Sequence, residues 1–183
     1  MFIKKYIEFM REAKEKPGNL YRYGCVMIEL NILNWDELTD RIDPEDLYEP
    51  ENPAHGLETN PHATLLYPVD PEVKFVDIKN ILDSTSHDKM EIEINGIGCF
   101  ENTEFDVIKL NIIPIGFIEN IHNELKKLPN LDKYPTYEPH ITLAFLKKGT
   151  GKKYINSNYK YTIKNIGRIK YTKPTGEKFY YDI

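Results

Sequence analysis

One five-residue phrase occurs twice in this chain. Pro61-His62-Ala63-Thr64-Leu65 is followed, 78 positions on, by Pro139-His140-Ile141-Thr142-Leu143. Four fixed residue types coincide at a given position with a chance on the order of 10⁻⁵ at average usage. Two copies within 183 residues therefore constrain the fold strongly. Each copy opens a run of apolar, β-branched and aromatic residues (62–67 and 140–146), which predicts two short strands. Side chains alternate along a strand, so each His and Thr share one face while Ala63 and Ile141 take the other. Set side by side, the two strands gather two imidazoles and two hydroxyls around one cleft.

The remaining elements follow from periodicity and breakers. Residues 2–15 place Phe2, Tyr6, Phe9, Met10 and Ala13 on one helical face, ended by Pro17-Gly18-Asn19. Residues 25–32 read as a strand, and Asn34 or Asp36 could cap a short helix over 35–41. Residues 43–60 are acidic, hold Pro44, Pro50, Pro53 and Gly56, and lack apolar periodicity; they read as a long loop forming a lid or rim beside the cleft. Helices are expected over 71–83 and 117–128, and strands over 90–101 and 105–113. Further strands are expected over 159–170 and 178–182, with a turn at Lys173-Pro174-Thr175-Gly176 between them. Strand–helix–strand then occurs as 62–67, 71–83, 90–100 and again as 105–113, 117–128, 140–146. That pseudo-repeat predicts an α+β fold: antiparallel sheet around a central cleft, helices outside, one H-x-T strand per lobe, and a single domain over 1–183. No Gly-rich phosphate fingerprint follows any strand, which disfavours a doubly wound parallel sheet.

Charge and cysteine content narrow the partners. Net charge is −5. Residues 147–183 carry ten Lys/Arg against two Asp/Glu, whereas 1–146 carry 14 against 27. An acidic chain gains little from counterion release on long nucleic acid, and a basic segment beside an acidic body suits a small phosphate ligand. No apolar run approaches a membrane span, and residues 1–5 enter a charged amphipathic stretch unlike a signal peptide. A cytoplasmic protein is expected, with Cys25 and Cys99 as buried free thiols.

Phosphodiester cleavage requires a base, an acid and donors for the phosphoryl oxygens. Imidazole titrates near neutrality, so one His can be neutral and the other protonated. The Thr hydroxyls can donate to the non-bridging oxygens. His62, Thr64, His140 and Thr142 are the candidate catalytic set, and no metal or other cofactor is expected. Zinc takes three or four protein ligands, and the chain has no H-x-x-x-H, C-x-x-C or clustered Asp motif to complete such a site. His55 in the acidic loop reads as a solvated residue or a substrate contact; His87 and His122 read as incidental.

The paired H-x-T-L strands resemble those of the two-histidine (2H) phosphoesterase superfamily, which implies a bilobal, pseudo-twofold α+β fold. A narrower resemblance, to the phage anti-CBASS phosphodiesterases, is carried by residues 21–27 (Tyr-Arg-Tyr-Gly-Cys-Val-Met), 42–48 (Ile-Asp-Pro-Glu-Asp-Leu-Tyr), Gly56-Leu57-Glu58 and the first H-x-T phrase. It implies cleavage of the cyclic di- and trinucleotide messengers of bacterial antiviral signalling, by the same His/Thr quartet. It also implies an aromatic base-stacking residue, nearest to Tyr21 (or Tyr23) here, and a polar base contact near the C-terminus, nearest to Glu177. Two alternatives remain open: an RNA-end or tRNA-fragment 2′,3′-cyclic phosphodiesterase, and a non-catalytic cyclic-nucleotide sponge. Sequence does not fix which His is the base, or the oligomeric state.

Overall fold

The computed structural model describes residues 22–52, 55–86, 89–132 and 135–183. The helix expected over 2–15, together with Tyr21 and His87, lies outside the described residues.

Among the described residues eight strands form one sheet: β1 (Gly24–Leu30), β2 (His62–Val69), β3 (Ile92–Glu101), β4 (Phe105–Ile112), β5 (His140–Lys147), β6 (Asn156–Ile163), β7 (Ile166–Thr172) and β8 (Lys178–Asp182). Their order across the sheet is β6-β3-β4-β5-β2-β1-β7-β8, and all registered neighbours are antiparallel. Among the described residues three α-helices accompany them: α1 (Trp35–Thr39), α2 (Phe75–Ser84) and α3 (Gly116–Leu125). The architecture is the expected α+β fold, with the two halves joined into one continuous sheet.

The two halves mirror one another about the β5/β2 junction. β1 pairs with β2 as β4 pairs with β5, and each inner pair is flanked by two further strands. The repeating unit is therefore strand–helix–H-x-T strand: β1–α1–β2 and β4–α3–β5. The repeat expected from sequence starts one strand too late, because β3 follows β2 in the chain but crosses into the opposite half. Periodicity identified the elements; only pairing could assign them to halves. The single run expected over 159–170 is likewise two strands, β6 and β7, broken at residues 164–165.

The core lies on one face. Val26, Ile28 and Leu30 of β1, Ala63 and Leu65 of β2, and Ile141 of β5 are buried and belong to one apolar cluster with Ile78 and Leu82 of α2 and Ile118, Ile121 and Leu125 of α3. The helical residues recur at intervals of three and four, the spacing of one helical face. Tyr171 is fully buried in this cluster and donates its hydroxyl hydrogen to the Val73 carbonyl at 2.9 Å, tying β7 to the chain that enters α2. Gly24 makes room for that ring: a Cβ there would lie 2.8 Å from it.

The described residues of the acidic 43–60 segment are docked rather than free. Leu47 bridges to Leu146, and Leu57 to Ala144. The Tyr48 N–H donates to the Phe145 carbonyl at 3.0 Å and the Glu58 N–H to the Leu143 carbonyl at 2.9 Å, so described residues of the segment run along the outer half of β5. Its aromatic and imidazole rings complete a second apolar cluster. Tyr48 lies 5.0 Å from Phe105, and His55 lies 5.4 Å from both Phe105 and Phe145, ring centre to ring centre. His55 is packed there, with Nδ1 2.8 Å from Glu49, and is not the solvated residue its loop context suggests.

The basic C-terminal segment is largely neutralised within the chain. Lys148, Lys152, Lys153, Lys164, Arg168 and Lys170 pair with Asp106, Glu101, Asp46, Glu91 and Glu29. The more exposed of these pairs contribute little singly, but together the pairs account for the charge asymmetry as internal complementarity.

Ile118 is fully buried between α3 and the sheet. Ile118→Ala should lower unfolding stability by about 2–5 kcal/mol, with an unchanged m-value in urea titration.

Candidate active site

β2 and β5 meet at a single registered pair, Ala63 opposite Ile141, both fully buried. Antiparallel pairing places His62 across from Thr142, and Thr64 across from His140, on the opposite face. The imidazole-bearing residues then occupy a cross-strand diagonal, with backbones about 7–8 Å apart. That gap admits one tetrahedral anion between the two rings. The flanking strands extend the arrangement into two rows. Lys109 of β4 faces Thr142, and Glu29 of β1 faces His62; Asn111 faces His140, and Met27 faces Thr64. Lys170 of β7 continues the second row beyond Met27.

Both imidazoles are anchored the same way. Nδ1 of His62 lies 2.8 Å from the Asn60 carbonyl, and Nδ1 of His140 lies 3.1 Å from the Glu138 carbonyl. A carbonyl only accepts, so each Nδ1 carries its hydrogen and each Nε2 is the atom left to act in the cleft.

Their surroundings differ. His140 is packed edge-on against Phe100, ring centres 5.0 Å apart. Burial, with the positive charges of Lys109 and of His62, lowers its pKa to about 4. At neutral pH His140 is uncharged and its Nε2 holds a free lone pair, the state of a general base. His62 has carboxylates instead: Glu58 lies 3.9 Å from its Nδ1, and Glu29 faces it across the strand pair. Glu29 is shared by Arg168 Nε at 2.8 Å and Lys170 Nζ at 3.0 Å. Burial opposes its ionisation, but these hydrogen bonds and charges prevail and hold its carboxyl below the ordinary range.

Thr142 is buried beside Lys109, and the Thr64 side chain lies near the Cys25 thiol. Burial pushes that thiol up to about 12, so it stays protonated. Cys25 and Cys99 are both free; Cys25 is buried, whereas Cys99 is only half-buried.

His122, which reads as incidental in sequence, is built into the support of the site. It is buried on α3, its Nδ1–H reaches the Leu65 carbonyl at 2.7 Å, and its ring stacks on Tyr137 with centres 3.7 Å apart and planes within 4°. Tyr137 donates its hydroxyl hydrogen to the Thr64 carbonyl at 2.9 Å. The pair thus grips the β2 backbone where the first motif ends. Nothing in a lone His on a helix discloses this; the only hint is that His122 lies next to the buried Ile121 on an apolar helix.

Of the residues considered for base binding, the described ones, Glu177 and Tyr23, lie on strand-end segments apart from the quartet. Glu177 sits in the turn before β8, more than half exposed, with its carboxylate 3.1 Å from Lys173. Tyr23, beneath the Arg22 guanidinium, immediately precedes β1. Because Cys25 faces Thr172 and Thr172 faces Lys178, Tyr23 and the 173–177 turn lie toward the same end of the sheet. Among the described residues, no group of three or more His, Cys, Asp or Glu is placed to hold a metal ion, and no helix is long and apolar enough to cross a membrane.

The model of the 2′-5′ RNA ligase superfamily matches residues 34–164, a span that includes both H-x-T strands. The chain belongs to this superfamily, that of the two-histidine phosphoesterases. Ten solved chains match the fold of this superfamily member. One is the structure of Kluyveromyces marxianus Usb1 with uridine monophosphate, which aligns with a TM-score of 0.57 and 9% identity over 87% of this chain and 97% of that one. At that identity the likeness is one of fold. No curated protein matches by sequence.

Tyr137→Phe keeps the ring stack of this superfamily member but removes the bond to the Thr64 carbonyl. It should cost about 1 kcal/mol of stability, read from urea unfolding, with His122 still buried by hydrogen exchange.

Proposed function

We propose that this two-histidine phosphoesterase is a metal-independent phosphodiesterase that linearises cyclic di- and trinucleotides of the kind used in bacterial antiviral (CBASS) signalling, an activity that would serve phage immune evasion. The observation that carries the reading is the pair of unlike imidazoles on one sheet face, with a hydroxyl across from each. The resemblance over residues 21–67 supports the cyclic substrate, and the net charge of −5 counts against a long polyanion.

In the proposed reaction a ribose 2′-oxygen attacks the phosphorus of its own 3′-phosphodiester. His140 Nε2 takes the 2′-hydroxyl proton as the O2′–P bond forms. The P–O5′ bond breaks, and His62 gives its proton to the leaving O5′. Thr64 and Thr142 donate hydrogen bonds to the non-bridging oxygens, where charge builds. The product carries a 2′,3′-cyclic phosphate and a free 5′-hydroxyl. Water can then open the cyclic phosphate with the roles of the imidazoles reversed, leaving a 3′-phosphate. Tyr21 or Tyr23 would stack a base, a sequence-tolerant contact suited to several messengers, and Glu177 would contact another.

A second reading, cleavage at RNA ends, draws on the superfamily's name and on the uridine monophosphate in the Usb1 structure. Mass-resolved products from a panel of cyclic oligonucleotides and RNA fragments, in excess chelator, separate the two. Cyclic substrates should be cleaved faster, and an analogue lacking the scissile-position 2′-hydroxyl should resist. His62→Ala and His140→Ala should each lower the rate by at least ~10²-fold. Faster turnover of RNA ends would select the second reading, and recovery of intact ligand would indicate a sponge.

The base must be neutral, so activity is present above the His140 ionisation and is lost as pH falls through it. The acid limb of kcat/KM should therefore lie near pH 4. An acid limb near pH 6.5, the ordinary imidazole value, would reject His140 as the base.

A further inference from the structure

The two halves supply matching H-x-T residues but unmatched neighbours. Across from Thr64 stands Met27; at the equivalent place across from Thr142 stands Lys109. Lys109 shares the face of the quartet, half-buried, with its ammonium 4.2 Å from the centre of the Phe100 ring and hydrogen-bonded to the Asn111 side-chain oxygen. Phe100 in turn meets His140, so ammonium, ring and imidazole form one contiguous wall. Gly98 opens that wall: a Cβ there would lie 2.9 Å from the Asn111 amide.

The charge of Lys109 is poorly compensated. The basic residues of β7 have Glu29, but no carboxylate among the described residues lies within ion-pair distance of Lys109, although the charge of Glu138 reaches it. Holding an ammonium out of water without an anionic partner is costly, and burial pulls its pKa down accordingly. A bound anion between the two imidazoles would repay that cost.

We infer that Lys109 is a substrate-touching residue, whose ammonium holds a non-bridging phosphoryl oxygen on the β4–β5 side of the site and so fixes how the phosphodiester sits between His62 and His140. The Lys109/Met27 mismatch breaks the pseudo-twofold symmetry. One orientation of the phosphoryl oxygens is favoured over its mirror, in keeping with a base on one strand and an acid on the other. This deepens the phosphodiesterase reading, on which it rests.

The test uses inorganic phosphate, which needs no turnover. Phosphate binding by the full chain is titrated, following the His62 and His140 ring resonances. Lys109→Met should weaken it about 10- to 100-fold, the worth of one charge-assisted hydrogen bond, while Lys109→Arg stays within a few-fold of wild type. Should Lys109→Met fail to fold, Asn111→Asp carries the test: it sets a carboxylate on the ammonium at nearly constant shape and should weaken phosphate in the same range. Phosphate affinity unchanged in a folded Lys109→Met protein, or in Asn111→Asp, overturns the inference, as does a wild type that binds no phosphate. Lys109-dependent phosphate binding in a protein that cleaves no phosphodiester would support this contact and reject the phosphodiesterase reading alone.

Discussion

The site depends on one short contact between strands. β2 and β5 pair at Ala63 and Ile141 and then part, so the two half-sheets are joined where the two H-x-T motifs lie. Beyond that point each strand takes a different neighbour. Tyr48, Gly56 and Glu58 form backbone bonds with the outer half of β5, and residues 129–131 form them with the far end of β2. Backbone groups that would be unpaired at a diverging junction are thereby satisfied, as buried polar groups must be. The same junction buries the small and β-branched residues between the motif positions. Alternation then leaves both His and both Thr no choice but the other face.

Geometry makes the imidazoles equivalent, and their surroundings make them different. Each Nδ1 is held by a backbone carbonyl two residues earlier in the chain. Around His140 lie Phe100, Lys109 and Asn111, an aromatic and cationic wall. Around His62 lie Glu58 and Glu29. Paired groups whose environments diverge are the usual means of dividing acid from base work. The fold supplies symmetry, and substitutions at the positions flanking each motif remove it.

That His62, Thr64, His140 and Thr142 share one face was legible in sequence, because it depends on local rules: a repeated phrase and a strand period of two. The α+β class followed from the order of apolar runs. What escaped is what depends on pairing. β3 joins the opposite half through a crossover that no local pattern announces, which displaced the expected repeat by one strand. Lys109 reads as one more lysine in a strand until β4 is set beside β5. His122 and Tyr137 lie 15 residues apart, and their stack beneath Thr64 follows from the return of the chain out of α3. The acidic 43–60 segment was legible as a loop without periodicity. Its docking on β5 was not, because the partners of Tyr48 and His55 are Phe105 and Phe145, far along the chain.

The central claim is that both imidazoles act on one phosphorus. A crystal structure with a cyclic dinucleotide lacking the attacking 2′-hydroxyl tests it most directly. The account predicts a single phosphate seated between the motifs, with Nε2 of His62 facing O5′ and Nε2 of His140 facing the position of the missing hydroxyl. A phosphate held by one imidazole alone, or a nucleotide bound on another face of the sheet, would contradict it.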